Sequence, residues 1–157
     1  MSLPTLADAK IFIGRQVENQ SDDLVAADFT GATWIEIGYM TNIGQYGDTQ
    51  NVIEQEILGR GRVLKGKGIS NAGTLENTMI PVPTDPGQIA LKAAQASRCN
   101  YEWKIEYPGE ECGEGEDTTQ TDMFHGLALP GARQGGGASA VSLRNWSVGI
   151  NSNIVET

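Results

Sequence analysis

With one histidine, two cysteines and only 6% aromatic residues, this chain holds little of the usual raw material of catalysis. The single imidazole, His125, excludes a histidine dyad and any metal site built on several histidines. Cys99 and Cys112 are too few for a disulfide scaffold. The opening residues, MSLPTLADAK, lack the basic start and apolar run of an export signal. Two free thiols are therefore the expectation, with a bridge as the alternative. By the same argument the formal sequon Asn145-Trp146-Ser147 is expected to stay unmodified. No run approaches the roughly 18 apolar residues of a membrane-spanning helix, so no membrane insertion is expected. Positive charge is scarce too: 11 lysines and arginines stand against 20 acids, a formal charge of -9. That excludes tight, sequence-specific nucleic-acid binding, which needs concentrated positive charge. Neither a G-x-S-x-G elbow nor a phosphate-cradling P-loop occurs.

What the chain has in excess is glycine, 20 of 157 residues, which suits short strands and many turns. Its length fits one domain spanning 1–157. Residues 1–9 read as an N-terminal arm and 18–30 as an acidic loop. Strands are expected at Lys10–Gly14, Thr33–Gly38, Tyr39–Tyr46, Thr74–Val82, Tyr101–Tyr107, Met123–Leu129 and Ala140–Asn151. The last changes phase between Leu143 and Trp146, so a bulge is expected near Arg144–Asn145. One helix is clear. Asp85 can cap it, Pro86 suits its first position and Gln88 stands three after the cap. It is expected to run to about Ser97, with Ile89, Ala93 and Ala96 on a stripe turned to a sheet and Ala90, Ala94 and Ser97 beside it. The fold class is mainly β: a two-sheet β-sandwich with one flanking α-helix and a long protruding hairpin.

Two regions carry the charge. In 51–69, NVIEQEI sets Ile53 and Ile57 on one side and Glu54 and Glu56 on the other. GRGRVLKGKG then places Arg60, Arg62, Lys65 and Lys67 among four glycines. An extended hairpin so poor in apolar residues is better explained as an arm that pairs with something else. The second region is an acidic insertion loop, 108–122, following the alternating strand YEWKIEY. Its acids Glu110, Glu111, Glu114, Glu116, Asp117 and Asp122 do not match the calcium-loop pattern. Cys99, Cys112 and His125 are raggedly spaced for zinc. Tyr101, Trp103 and Tyr107 are expected in the core rather than stacked on bases, and Glu102 and Glu106 facing solvent or a neighbour. No catalytic constellation and no cofactor site emerges. A basic hairpin and acidic surfaces on one small chain suit self-association, one copy's arm meeting another copy's acids.

From Thr33 to Val155 the chain resembles the tail tube (major tail) proteins of long-tailed bacteriophages and related gene transfer particles. The landmarks are TWIEIGYMTNIGQYG, NVIEQEILGRGRVLKGKG, DPGQIALKAAQ, YEWKIEY, FHGLAL and NWSVGINSNIV, in that order. The resemblance implies a hexameric ring with a continuous inner β-barrel. Rings would stack into a tube around a tape measure protein, with tail terminator and distal tail proteins at its ends. Double-stranded DNA would pass through non-specifically. The place implied is the virion tail, assembled in the host bacterial cytoplasm. Glu54, Glu56, Arg60, Arg62, Lys65 and Lys67 would join subunits or stack rings. Glu36, Glu54, Glu56 and Glu76 are candidates to face an acidic lumen that repels DNA. The alternatives are the inner tube protein of a contractile or secretion-type injection system, and a non-catalytic carbohydrate-binding β-sandwich module.

Overall fold

The computed structural model describes residues 5–109 and 119–157. The strands are β1 (Lys10–Val17), β2 (Ile35–Ile37), β3 (Met40–Ile43), β4 (Thr49–Ile57), β5 (Arg62–Asn71), β6 (Thr74–Met79), β7 (Asn100–Tyr107), β8 (Gln120–Gln134), β9 (Leu143–Ile150) and β10 (Val155–Glu156). The helix α1 spans Pro86–Ala96, between β6 and β7. Eight strands form one sheet in the order β2-β1-β7-β8-β9-β6-β3, with β10 on β8. Among the described residues, β4 and β5 pair only with each other.

This corrects the expected architecture. The strands do not divide into the two sheets of a sandwich, because β8 is 15 residues long and serves both halves. Gln120–Gly126 pair with β7, and Gly126–Gln134 with β9. One continuous antiparallel ladder results. The continuous inner β-barrel and its hexameric ring are overturned as well. The strand path is open, running from β2 at one end to β3 at the other, and those ends do not pair.

The alternation of apolar residues dictates which side of the sheet is dry. Ile11 and Ile13 of β1 stand opposite Ile105 and Trp103 of β7, and Trp103 stands opposite Phe124 of β8. With Leu75, Trp146 and Val148 they are essentially inaccessible to water. Trp103 and Trp146 stack at 5.8 Å, and the Trp103 indole N–H donates to the Gly126 carbonyl at 3.1 Å. The trio Tyr101, Trp103 and Tyr107 thus belongs to the core side, which removes the aromatic platform a carbohydrate binder needs. Tyr46, just past β3, packs on Phe124 and hydrogen-bonds Tyr107 and Asp122. Burial, then the bond to the Asp122 carboxylate, raises the Tyr46 pKa far above its usual value.

The helix starts as its sequence dictates. Asp85 accepts a hydrogen bond from the Gln88 N–H at 3.0 Å, and Pro86 occupies the first turn. Its buried face differs from the expected stripe. Ala94, expected beside that stripe, is inside, but its buried companions are Gly87, Gln88 and Leu91, while Ile89 is 56% exposed. Gly87 explains the rotation. A Cβ there would stand 1.9 Å from the Glu36 carbonyl oxygen, so the helix is held against β2 by its glycine. Gln88 completes the junction, donating to Gly38 O and Ile80 O and accepting from the Val82 N–H.

Two further expectations move. The irregularity that reconciles the phases of β8 and β9 lies between Pro130 and Arg133 of β8, opposite Arg144–Asn145. There Gly131 approaches the Asn145 carbonyl too closely for any side chain. Residues 130–134, beyond the expected strand end at Leu129, are therefore strand. The acidic insertion, save 108–109 and 119–122, lies outside the described residues, as does Cys112. Cys99 is an exposed free thiol.

Candidate functional site

Strands β3 and β6 pair at the sheet edge, with Met40 opposite Met79 and Ile43 opposite Asn77. β4 and β5 extend the same hairpin outward, from Thr49 opposite Asn71 to Ile57 opposite Arg62. At the end, Leu58–Arg60 form a single 3-10 turn, closed by Gly61 in the left-handed region (φ 59°). Every residue of β4 and β5 is exposed except Ile57 and Gly68, which are half-buried. A lone two-stranded ribbon is marginal in water, and both its outer edges carry unpaired backbone groups.

The register gives the ribbon two unlike sides. Cross-strand partners share a side, so Glu54, Glu56, Lys65 and Lys67 lie together with Val52 and Val63. The opposite side carries Ile53, Ile57 and Leu64 with Gln55, Arg62 and Gly66. Glu54 and Lys65 meet at 3.6 Å with both side chains mostly exposed, a pair worth at most about 0.5 kcal/mol. Arg60 sits in the tip turn and Arg62 opens β5. Leu58 at the tip is 97% exposed. Six of the sequence candidates are therefore gathered on one arm. Glu36 and Glu76 are elsewhere: both are exposed on the non-core side of the sheet, but four strands separate β2 from β6.

Sequence reasoning missed a polar cluster under the segment that precedes β2. Glu102, expected to face solvent or a neighbour, is 0% exposed. Its Oε1 accepts from the Arg15 Nε at 2.8 Å, while Oε2 has no hydrogen-bond partner among the described residues. Arg15 also donates to the Asp28 carbonyl at 3.3 Å, tying Ala26–Phe29 down onto β7. His125 stands directly opposite Glu102 on β8. It is 4% exposed, its Nε2 has no hydrogen-bond partner among the described residues, and the Phe29 ring meets it edge-on at 5.2 Å. Burial lowers the His125 pKa, with Arg15 acting in the same sense and Glu102 and Asp28 opposing. No periodicity could announce this cluster, because Arg15 and Glu102 are 87 residues apart in the chain.

A pH dependence follows. In the unfolded chain His125 titrates near 6.5, and in the fold its value is lower. Below about pH 6.5 the unfolded chain takes up a proton that the native state refuses. The stability contributed by neutral His125 is thus complete above pH 6.5. It is lost as pH falls toward the lowered native value, by up to about 1.4 kcal/mol per pH unit. Urea midpoints measured between pH 7.5 and 5 should fall more steeply for the wild type than for His125→Gln.

Among the described residues, no three His, Cys, Asp or Glu side chains are grouped to hold a metal ion. No helix there is long and apolar enough to cross a membrane. No protein-family profile matches the chain, and no curated protein matches it in sequence. Solved structures do match in fold. A chain of the six-fold symmetrised anti-feeding prophage baseplate superposes with a TM-score of 0.67 at 13% identity, covering 100% of this chain and 97% of that one. A chain of the sheath/tube terminator of the PVC extracellular contractile injection system gives 0.65 at 10% identity, covering 100% and 98%. One from the PVC sheath-tube complex in its extended state gives 0.64 at 11%, covering 99% and 91%. The fold of this chain is thus one found, along nearly its whole length, in chains of contractile injection assemblies.

Proposed function

We propose that this protein is a structural, non-catalytic subunit of the tube of a contractile injection apparatus, built by copies of the chain joining through the β4–β5 ribbon. The observation that carries this reading is the ribbon itself. Two strands of 9 and 10 residues project from the sheet with nearly every side chain exposed. Their free edges and apolar side are satisfied by contact with another chain. The fold matches favour the contractile reading over a long-tailed phage tube, because they fall on chains of contractile injection assemblies. Glu54, Glu56, Arg60, Arg62, Lys65 and Lys67 are assigned to contacts between copies. The exposed Glu36 and Glu76 are assigned to a channel wall from which phosphate backbones are repelled. Terminating and length-setting proteins would complete such a tube, which would belong to a particle assembled in a bacterial cytoplasm.

The test is electron microscopy of the purified protein over a range of concentrations. Hollow polymers of uniform width are expected. Replacing 52–67 with a short turn should leave a folded, unpolymerised chain. A wild-type protein that stays monomeric at high concentration would overturn the proposal.

A further inference from the structure

Between α1 and the end of the sheet lies a groove of about 640 Å³. Its two walls are unlike. One is the helix stripe Ile89, Ala93 and Ala96 with Lys92 among them, all exposed. The spacing of that stripe suits a sheet, yet the chain's own sheet does not take it, because the contact at Gly87 sets the rotation of α1. The other wall is basic. Met79 of β6 stands opposite Arg144 of β9, and Arg144 stands opposite Arg133 of β8. Cross-strand partners share a side, so both arginines stand on the core side of the sheet, in a row with the buried Met79. Like charges placed directly opposite repel, and no acid relieves this pair. Among the described residues, no aspartate or glutamate lines the groove, and Lys92, Arg133 and Arg144 form no ion pair. In a chain with 11 cations against 20 acids, three unpaired cations at one groove point to carboxylates supplied by another chain.

We infer that β4 of a second copy of the chain lies in this groove, with Glu54 and Glu56 against Arg133 and Arg144 and with Ile53 and Ile57 against the helix stripe. Strand and groove are two-sided in the same sense. A strand sends alternate side chains to opposite sides, and β4 sets its glutamates on one side and its isoleucines on the other. It leads with its outer edge, which pairs with no strand among the described residues. Glu54 and Glu56 stand about 7 Å apart along their strand. The two arginines stand about 5 Å apart across theirs, a mismatch that long side chains absorb. Lys65 and Lys67 share the glutamate side but belong to β5, one strand spacing of about 5 Å farther out. No residue of β4 or β5 lines the groove of its own chain. Ribbon and groove are different surfaces of one chain, so the contact is heterologous, and each docked copy offers a fresh groove. This inference rests on the tube reading above and names the surface that receives the ribbon.

Charge reversal tests it on the full chain, with polymer length and critical concentration read by sedimentation and electron microscopy. Arg133→Glu with Arg144→Glu should raise the critical concentration at least about tenfold, a loss of about 1.4 kcal/mol per contact. Glu54→Arg with Glu56→Arg should do the same. Both sets on one chain should restore assembly, which also answers any concern that either set merely unfolds the protein. The side of β4 that meets the helix is read separately, in a Cys99→Ser, Cys112→Ser background with a short bismaleimide. Chains carrying Ile53→Cys, mixed with chains carrying Ala93→Cys, should link position 53 to position 93. Chains carrying Glu54→Cys in place of Ile53→Cys should link poorly, because position 54 faces the arginines. Polymers that form equally well with either set reversed, or doubly reversed chains no better than singly reversed ones, overturn the groove as the seat of the ribbon while leaving the tube reading intact. So do links to position 93 that are no more frequent from position 53 than from position 54. Wild-type chains that never polymerise overturn both.

Discussion

Arg15→Ala is expected to destabilise the protein by about 3 kcal/mol, although the arginine side chain is itself half exposed. The reason lies in its partner. Glu102 is completely buried, and the 2.8 Å bond from Arg15 is its one ion pair among the described residues. Removing one partner of a buried pair leaves a charge with neither water nor counter-ion, and costs about 3–5 kcal/mol. The lower end applies because Arg15 is open to solvent, which can enter the space it vacates. The same change frees the Asp28 carbonyl, so Ala26–Phe29 and the Phe29 cover over His125 should loosen. Replacing both partners with apolar residues, Arg15→Met with Glu102→Leu, should recover most of the loss. Urea unfolding monitored by tryptophan fluorescence measures all three chains. An Arg15→Ala protein as stable as wild type would show that the pair is not what tolerates the buried carboxylate.

Gly87→Ala should cost at least about 3 kcal/mol, opposite in sign to what helix propensity predicts. In an unconstrained helix the change gains about 1 kcal/mol, because alanine orders at lower entropic cost. Here the new Cβ would stand 1.9 Å from the Glu36 carbonyl oxygen and 2.5 Å from the Ile37 Cα. Both are backbone atoms of a paired strand, so neither yields by changing rotamer. The helix must instead move off β2, lifting Leu91 and Ala94 from the core and breaking the three Gln88 hydrogen bonds. Overpacking of a tight interface typically costs about 1–3 kcal/mol, and the lost junction adds to it. Thermal denaturation would show the direction at once: a higher Tm than wild type would mean that the helix is free to shift.

Local signals were readable where a rule acts over a few residues. The Asp85 cap with Pro86 announced the helix start, and the structure has it to the residue. The alternation of YEWKIEY placed Trp103 and Ile105 on the core side. The opposed glutamates and isoleucines of β4 are on opposite sides of the ribbon. The same alternation misled at Glu102. It says which residues share a side but not whether the other side is covered, and here Ala26–Phe29 cover it. The helix stripe misled likewise. Ile89 looks like a core residue by composition, yet the glycine contact at Gly87 sets the rotation and leaves Ile89 outside.

What the chain determined by itself is local. It specified a mainly β protein with one capped helix and a charged hairpin too poor in apolar residues to bury itself. Strand pairing was decided only in three dimensions. Hydrophobic period tells each strand which side to bury, but it is silent on neighbours, and pairing is a contest among distant segments settled by the summed packing of the whole sheet. Hence one open sheet on a 15-residue β8 where two layers were expected. The meeting of Arg15 with Glu102, and of Phe29 with His125, has the same origin. Those groups come from separate stretches of chain, and only the pairing of distant strands brings them within reach of one another.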